Sequence, residues 1–266
     1  MTPIPILSPD DPRVADYRHI RERDLTGRRG LFVAEGAVVL NVLASEASRC
    51  RTVSALIAEQ RVAALRPVLE RLGPDTPVYA AGQAVMDAVA GFPIHRGILA
   101  LGRRPEAPDL AALLAQAPED AVVVAVCGVG NHDNMGGIFR NAAAFGAHAV
   151  LLDDRCCDPL YRKAIRVSVG AVLRTPFVAG LNALAMLDAL EGAGFALMAL
   201  SPSGRERLSD MRTGGRSALV LGAAGPGLEP AVLARCRTVA IPMAGGFDSL
   251  NVAAAGAVAL HHLRFG

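Results

Sequence analysis

The sequence predicts an α/β protein of two modules, the larger of which is a C-terminal domain built on a parallel β-sheet. Short apolar runs alternate with helical stretches along most of the chain, as in α/β folds. After residue 120 the strand-like runs are continuously apolar, which is typical of parallel strands covered by helices on both faces. A length of 266 residues accommodates two domains of ordinary size or one large one.

The first module spans residues 30–104, where apolar runs and helical stretches alternate on a small scale. A proline-bearing stretch with one short helix follows, and this is the composition of an interdomain joint. We therefore predict an N-terminal α/β domain at 1–104, a linker at 105–119 and a C-terminal domain at 120–266.

Composition excludes several classes of protein. Apolar residues make up 52% and charged residues 20%, which excludes a disordered chain, and no apolar run approaches the roughly 20 residues of a membrane span. The first residues lack a basic segment followed by a long apolar stretch, so we expect a cytoplasmic protein without a membrane partner. The 5 cysteines form no CxxC pair, which indicates reduced thiols; a redox pair of Cys156 and Cys157 is the alternative.

Local clusters of cations indicate a nucleic-acid partner better than the net charge of +2 does. The first cluster is Arg13, Arg18, Arg21, Arg23, Arg28 and Arg29. The second is Arg155, Arg162, Lys163, Arg166 and Arg174. Each cluster is either a phosphate-binding surface or a solvated face. With 0 Trp and 3 Tyr the chain lacks an aromatic platform for single strands, so structured RNA is the favoured partner.

The first of three informative loops leads into a helix that carries Arg140. Asn134 is the expected N-cap, and Gly136 and Gly137 fall in the first turn. Each glycine costs roughly 1 kcal/mol against alanine in a helix, so close approach of a ligand or another backbone explains them better than helix propensity. Ile138, Ala142 and Phe145 form an apolar stripe on another face of this helix. Arg140 points away from the stripe, so it is either a functional cation or an ordinary surface arginine.

Two further loops follow later strands. Gly222, Gly225 and Gly227 come after an apolar run, where they permit either close approach of a small molecule or a tight turn. The third loop leads to a final helix predicted over 249–264, with Ser249 and Asn251 near its start. Ligands of parallel sheets collect at the carboxyl ends of strands, so these three loops predict the site.

The motifs in these loops resemble the SpoU-type (TrmH-like) RNA 2'-O-ribose methyltransferases of the SPOUT superfamily. Residues 134–140 with Phe145 and Gly146 look like the family's first motif, and residues 241–243 with 249–252 look like its third. Residues 166–171 resemble the segment between them, and 28–36 resemble the start of the family's substrate-binding domain. The resemblance covers nearly the whole chain.

The resemblance implies a C-terminal SPOUT domain with a deep trefoil knot and a smaller N-terminal domain of ribosomal-protein type. It also implies S-adenosylmethionine as cofactor without a metal, tRNA or rRNA as substrate, and a homodimer. By position the cofactor contacts are Ser201, Gly222, Ile241, Met243 and Leu250. The small residues 253–257 of the final helix suit a dimer interface or, equally, packing within the chain.

The family's roles place Arg140, Asn134, Ser249 and Asn251 at the catalytic centre. A guanidinium is a poor base, so we assign Arg140 to gripping an RNA phosphate and orienting the ribose hydroxyl, with Ser249 and Asn251 positioning neighbouring groups. The expected RNA contacts are Arg18, Arg28, Arg29, Arg162 and Arg166.

One departure from the family's pattern stands in its second motif, where Ala224 replaces the usual glutamate. The loss of that hydrogen-bond acceptor leaves open a catalytically weakened relative that still binds RNA.

A remote alternative is an NAD-dependent Rossmann oxidoreductase, since Gly128 and Gly130 follow a strand and Asp153 or Asp154 ends the next. Asp133 replaces its third glycine and disfavours it. A Ser-His-Asp hydrolase is disfavoured because no GxSxG occurs.

Overall fold

The computed structural model describes residues 2–18, 29–211, 214–245 and 249–266. The chain folds into two compact units, and the first combines Met1–Pro105 with Leu160–Arg174. The second consists of Glu106–Pro159 and Thr175–Gly266. The sequence does not predict that residues 160–174 belong to the first unit.

The first unit contains a five-stranded mixed sheet in the order β1-β4-β3-β5-β2. Strands β1, β3 and β4 run parallel to their neighbours in that group, and β5 pairs antiparallel with both β3 and β2. The strands are β1 (Ile4–Ile6), β2 (Leu31–Glu35), β3 (Arg51–Ala58), β4 (Val78–Ala81) and β5 (Ile98–Arg103). The helices are α1 (Ala37–Leu43), α2 (Glu59–Leu69), α3 (Gln83–Ala90) and, much later in the chain, α6 (Arg162–Val167).

Short contacts hold the late segment on the first unit. The Arg49 amide donates to the Leu173 carbonyl at 2.8 Å. A β-carbon on Gly170 would lie 3.1 Å from that of Val42. Because Gly170 has a φ of +82°, its backbone also favours glycine.

The second unit contains a seven-stranded sheet in which every pair is parallel, in the order β10-β12-β9-β11-β6-β7-β8. This sheet confirms the predicted α/β class. Its strands are β6 (Val122–Val126), β7 (Ala149–Asp153), β8 (Phe177–Leu181), β9 (Ala196–Leu200), β10 (Glu206–Arg207), β11 (Ser217–Leu221) and β12 (Arg237–Ala240). Its helices are α4 (Leu110–Ala115), α5 (His132–Ala144), α7 (Ala183–Gly192), α8 (Pro230–Leu233) and α9 (Val252–Phe265).

The central strands of this sheet are apolar because both of their faces are buried. All five residues of β6, β7 and β11 are buried. Helix α4, which the sequence places in a linker, packs through Leu110, Leu113 and Leu114 onto the core of this unit. Among the helices of the described residues, none combines the length and apolarity that a membrane crossing requires.

Candidate active site

A cavity of about 160 Å³ opens at the carboxyl edge of the second sheet. The adjacent strands β12, β9 and β11 end there, as expected for a ligand site in a parallel sheet. The walls are apolar, hydroxyl-bearing or glycine residues: Leu200, Ser201, Pro202, Leu221, Gly222, Ala223, Ala224, Gly225, Gly227, Val239, Ile241, Met243, Ser249, Leu250, Val252 and Ala255. The five predicted cofactor contacts are all among them.

The loop after β11 bends back on itself and requires glycine at its first position. A β-carbon on Gly222 would lie 2.6 Å from the carbonyl carbon of Gly227 and 2.7 Å from the Leu228 amide nitrogen. The Gly227 amide donates to the Ala223 carbonyl at 3.0 Å, which closes the turn. Backbone groups therefore form this wall of the cavity, and Ala224 stands exposed where the family's glutamate is expected.

The third loop brings β12 to the start of α9. Ile241, Met243, Ser249 and Leu250 line the cavity, and the Leu250 side chain is 45% exposed. Asn251 is the N-cap of α9, so the helix begins at Val252 rather than at residue 249. Residues 246–248, including the Asp248 beside Ser249, lie outside the described residues.

Helix α5 begins earlier than the sequence predicts. Its N-cap is Asn131, whose Oδ1 accepts from the amides of Asp133 at 2.8 Å and Asn134 at 3.1 Å. The predicted cap, Asn134, is therefore wrong: this residue lies within the first helical turn. The reason is that the polar pair His132 and Asp133 is already helical, while the apolar pattern starts only after it.

Close packing of α5 on α9 explains one of the two glycines. A β-carbon on Gly137 would lie 2.7 Å from that of Ala253, so the helices meet where both side chains are minimal. One turn further on, the Asn141 side chain donates from Nδ2 to the Ala253 carbonyl at 2.7 Å. Another element of the chain, and not a ligand, approaches Gly137.

An amide pair connects the two helix starts. The Nδ2 of Asn251 donates to the Oδ1 of Asn134 at 2.7 Å. Asn251 stands between the cavity residues Leu250 and Val252, so the pair borders the cavity. Two of the four predicted catalytic residues are thus in contact, and a third, Ser249, lines the cavity beside them.

Arg140, the fourth predicted catalytic residue, is exposed on α5. Ile138 and Ala142, its neighbours two positions away, are buried in the core, as the predicted stripe requires. Among the described residues Arg140 has no hydrogen-bond or ion-pair partner. Its guanidinium is available to an external anion.

A buried carboxylate organises the loop that leads into α5. Asp153 is 1% exposed, and its Oδ1 accepts from the Gly128 amide at 2.9 Å. Its Oδ2 lies 3.3 Å from an Nη of Arg155, which also pairs with Glu229. These carboxylates raise the pKa of Arg155, Glu229 most strongly. Because Asp153 is committed to the protein, it is not available to a dinucleotide ribose, and of the two acidic residues considered for the oxidoreductase alternative only Asp154 is left exposed.

The predicted RNA contacts that the structure describes all belong to the first unit. Arg18 donates to the Asp11 carbonyl at 2.7 Å, and Arg29 pairs with Asp16. Arg162 and Arg166 share Glu35, at 3.4 Å and 3.7 Å. Arg28 lies outside the described residues.

Sequence reasoning missed the residues that support the site. Asn131, Asn141 and Asp153 hold the helices and loops in place, while Val239 and Leu221 form part of the cavity wall. The one sequence signal for the true N-cap is the second asparagine, Asn131, three positions before Asn134. No local signal predicts the other contacts, because each joins distant parts of the chain.

Comparison with known proteins identifies the family. Residues 121–261 match the SpoU rRNA methylase family. A protein of Mycobacterium bovis, named an uncharacterized tRNA/rRNA methyltransferase, is 39% identical over 96% of this chain and 90% of its own length. The chain therefore belongs to the SpoU methyltransferase family.

Two further relatives are informative. A 23S rRNA (guanosine-2'-O-)-methyltransferase of a Burkholderia species is 31% identical over 68% of this chain and 74% of its own length. The crystal structure of an rRNA methyltransferase from Sinorhizobium meliloti, described with bound AdoMet, is 21% identical. It superposes with a TM-score of 0.83 over 98% of this chain and 97% of that one. This likeness extends over the whole fold.

Proposed function

We propose that this chain transfers a methyl group from S-adenosylmethionine to a ribose 2'-hydroxyl of tRNA or rRNA. The observation that carries the proposal is the cavity at the ends of β9, β11 and β12, with Asn134 and Asn251 hydrogen-bonded at its border. The relatives named as tRNA/rRNA and guanosine-2'-O methyltransferases support the RNA substrate and the ribose target.

The cavity fits the cofactor by its chemistry. Leucine, valine and isoleucine side chains offer apolar surface to an adenine ring, and the loop from Gly222 to Gly227 offers backbone groups at close range. Ser201 and Ser249 add hydroxyl groups. We assign cofactor binding to Ser201, Gly222, Ile241, Met243 and Leu250. When bound, S-adenosylmethionine supplies an electrophilic methyl group on sulfur.

The chain's own side chains hold the RNA for this transfer. Arg140 is exposed and unpaired among the described residues, so its planar guanidinium is suited to a bidentate grip on a phosphate. Fixing the nucleotide in this way aligns the 2'-hydroxyl, and such positioning is worth on the order of 7 to 11 kcal/mol in favourable cases. Arg140 thus acts by orientation, with Ser249 and Asn251 next to the reacting groups.

The first unit offers a surface for the rest of the RNA. Arg162 lies 4.8 Å from the centre of the Phe92 ring and 3.4 Å from Glu35, so its guanidinium is held by stacking and by charge. A polar cleft of about 260 Å³ at the ends of β3 and β4 adds Gln60, Arg61, Gln83, His95, Arg96 and Gly97. Donors of this kind recognise RNA backbone and shape.

The homodimer and the knot belong to the same proposal. On α9, Val258 is 46% exposed and Phe265 66% exposed, and such apolar surface is suited to a second copy. A β-carbon on Gly204, after β9, would lie 2.3 Å from the carbonyl carbon of Val239, because the chain passes very close to β12 before β10 pairs with that strand. The knot itself is proposed from the family resemblance. Sedimentation of the purified chain tests the dimer: a single species of monomer mass would refute it.

A direct experiment tests the function. Isothermal titration with S-adenosylmethionine, followed by mapping of 2'-O-methyl marks in tRNA and rRNA from cells with and without this chain, should give binding and at least one protein-dependent mark. Binding without any dependent mark would instead favour the weakened relative, for which Ala224 at the cavity is the specific reason. In that case Ala224→Glu, which adds a carboxylate acceptor, should restore transfer.

A further inference from the structure

The amide of Asn251 has its orientation fixed by the helix that it caps. One terminal atom lies 2.9 Å from the Ala253 amide nitrogen and 3.3 Å from that of Ala254. Both backbone groups are donors, so this atom has to be the carbonyl oxygen. The other terminal atom, facing Asn134, is therefore the NH2 group.

This orientation determines that of the second amide. The NH2 of Asn251 can only donate, and it lies 2.7 Å from a terminal atom of Asn134. That atom must accept and is therefore the carbonyl oxygen. The remaining terminal group of Asn134 is its NH2, which has no hydrogen-bond partner among the described residues.

The free NH2 group stands at the border of the cavity. Asn134, Gly137 and Asn141 occupy successive turns of the α5 face that packs on α9, and Asn134 is at its open end. The backbone amide of Asn134 is already taken by Asn131, so the side chain is the group left for an external partner.

We infer that Asn251 is a positioning residue that turns the NH2 group of Asn134, and not its carbonyl oxygen, toward the RNA as a hydrogen-bond donor. The expected partner is an oxygen acceptor of the bound nucleotide, on its phosphate or ribose. In this arrangement the Asn134 oxygen faces Asn251 and its NH2 faces outward, so Asn134 orients the nucleotide by donation; an amide oxygen is too weakly basic to take up the hydroxyl proton. The inference rests on the proposed function. It adds the direction of the hydrogen bonds at the site: Asn251 donates to Asn134, and Asn134 donates to the RNA. We call this direction the polarity of the amide pair.

Two substitutions at Asn251 separate this polarity from helix capping. Asn251→Asp keeps a strong N-cap but places a carboxylate oxygen against Asn134. Asn134 must then turn over to donate, and it presents its carbonyl to the RNA. Asn251→Ser also caps the helix, but its short side chain leaves Asn134 free to adopt either orientation.

The inference predicts an order of kcat/KM on the target RNA: wild type, then Asn251→Ser, then Asn251→Asp, with the last reduced roughly tenfold to hundredfold. A residue that only caps α9 gives the opposite order, since aspartate retains both the cap and a hydrogen bond to Asn134. An Asn251→Asp enzyme equal to or better than Asn251→Ser would overturn the inference.

Three further measurements complete the test. Thermal unfolding and S-adenosylmethionine binding should stay close to wild type in both variants, which separates the polarity effect from misfolding. The deficit of Asn251→Asp should persist at high salt; one that disappears there is charge repulsion and refutes the inference. A wild-type chain that neither binds the cofactor nor methylates RNA refutes the proposed function instead.

Discussion

Gly137 of α5 and Ala253 of α9 meet so closely that a β-carbon on the glycine would lie 2.7 Å from the alanine β-carbon. Asn134 and Asn251 stand at the open end of the same helix pair, joined by their own hydrogen bond. The spacing of two small residues therefore sets the separation of the two amides at the site.

Gly137→Ala should lower the free energy of unfolding by about 1 to 2 kcal/mol. The clash with Ala253 outweighs the gain of roughly 1 kcal/mol in helix propensity, since overpacking typically costs more. Urea denaturation measures the change. Ala253→Gly restores the space, so the double variant should be more stable than the sum of the single changes predicts. Strict additivity would contradict the contact.

Gly222→Ala should abolish measurable cofactor binding in titration calorimetry. The added β-carbon would lie 2.6 Å from the backbone of Gly227, so the loop after β11 has to open. Gly130→Ala is the matched control, because nothing lies within 4 Å of the β-carbon added there. If both variants bind like wild type, the cavity does not hold the cofactor.

Arg140→Ala should retain cofactor binding and lose roughly a hundredfold in kcat/KM on the true RNA, the scale of effect expected when a reacting group is misplaced. Arg140→Lys should recover only part of this loss, because an ammonium does not bind a phosphate bidentately. Single-turnover methylation measures both variants. Unchanged turnover in Arg140→Ala would remove the assigned orienting role.

Alkaline stability should depend on buried thiols. Burial raises the pKa of Cys127 from 9.0 to about 12, so the unfolded thiol ionises first. The contribution of the protonated Cys127 thiol to the free energy of unfolding is complete below pH 9 and is lost as pH rises toward 12. In urea denaturation at a series of pH values, Cys127→Ala should show a shallower alkaline decline than wild type. Cys157→Ala should change this alkaline decline less, since the pKa of Cys157 rises only to about 11.

The sequence predicts five strands of the second sheet, namely β6, β7, β9, β11 and β12, and the pattern is clearest for those buried on both faces. β6, β7 and β11 are continuous apolar runs, and such runs are unambiguous when glycine-bearing loops bound them. The sequence does not predict β8, because it is an edge strand with Gly180 and only one buried residue. The two residues of β10 are both exposed and leave no pattern at all.

The site is predictable in its parts but not in its connections. Spacing and family resemblance single out Asn134, Gly222 and Asn251, each of which adjoins or lines the cavity. The contact between Asn134 and Asn251 joins residues 117 positions apart, and it depends on how α5 packs against α9. The predicted cap of α5 is misplaced by three residues because two asparagines compete for the same role and only their backbone geometry differs.

The first unit is assembled from two separate stretches of chain, and the later one carries Arg162 and Arg166. When residue 105 has been synthesised, helix α6, which packs beside β2, does not yet exist. Both β6 and β7 are synthesised before α6. The first unit therefore cannot complete its fold during synthesis until residues 160–174 have been made. A fragment ending at residue 104 would lack this segment, together with two cations expected to contact RNA.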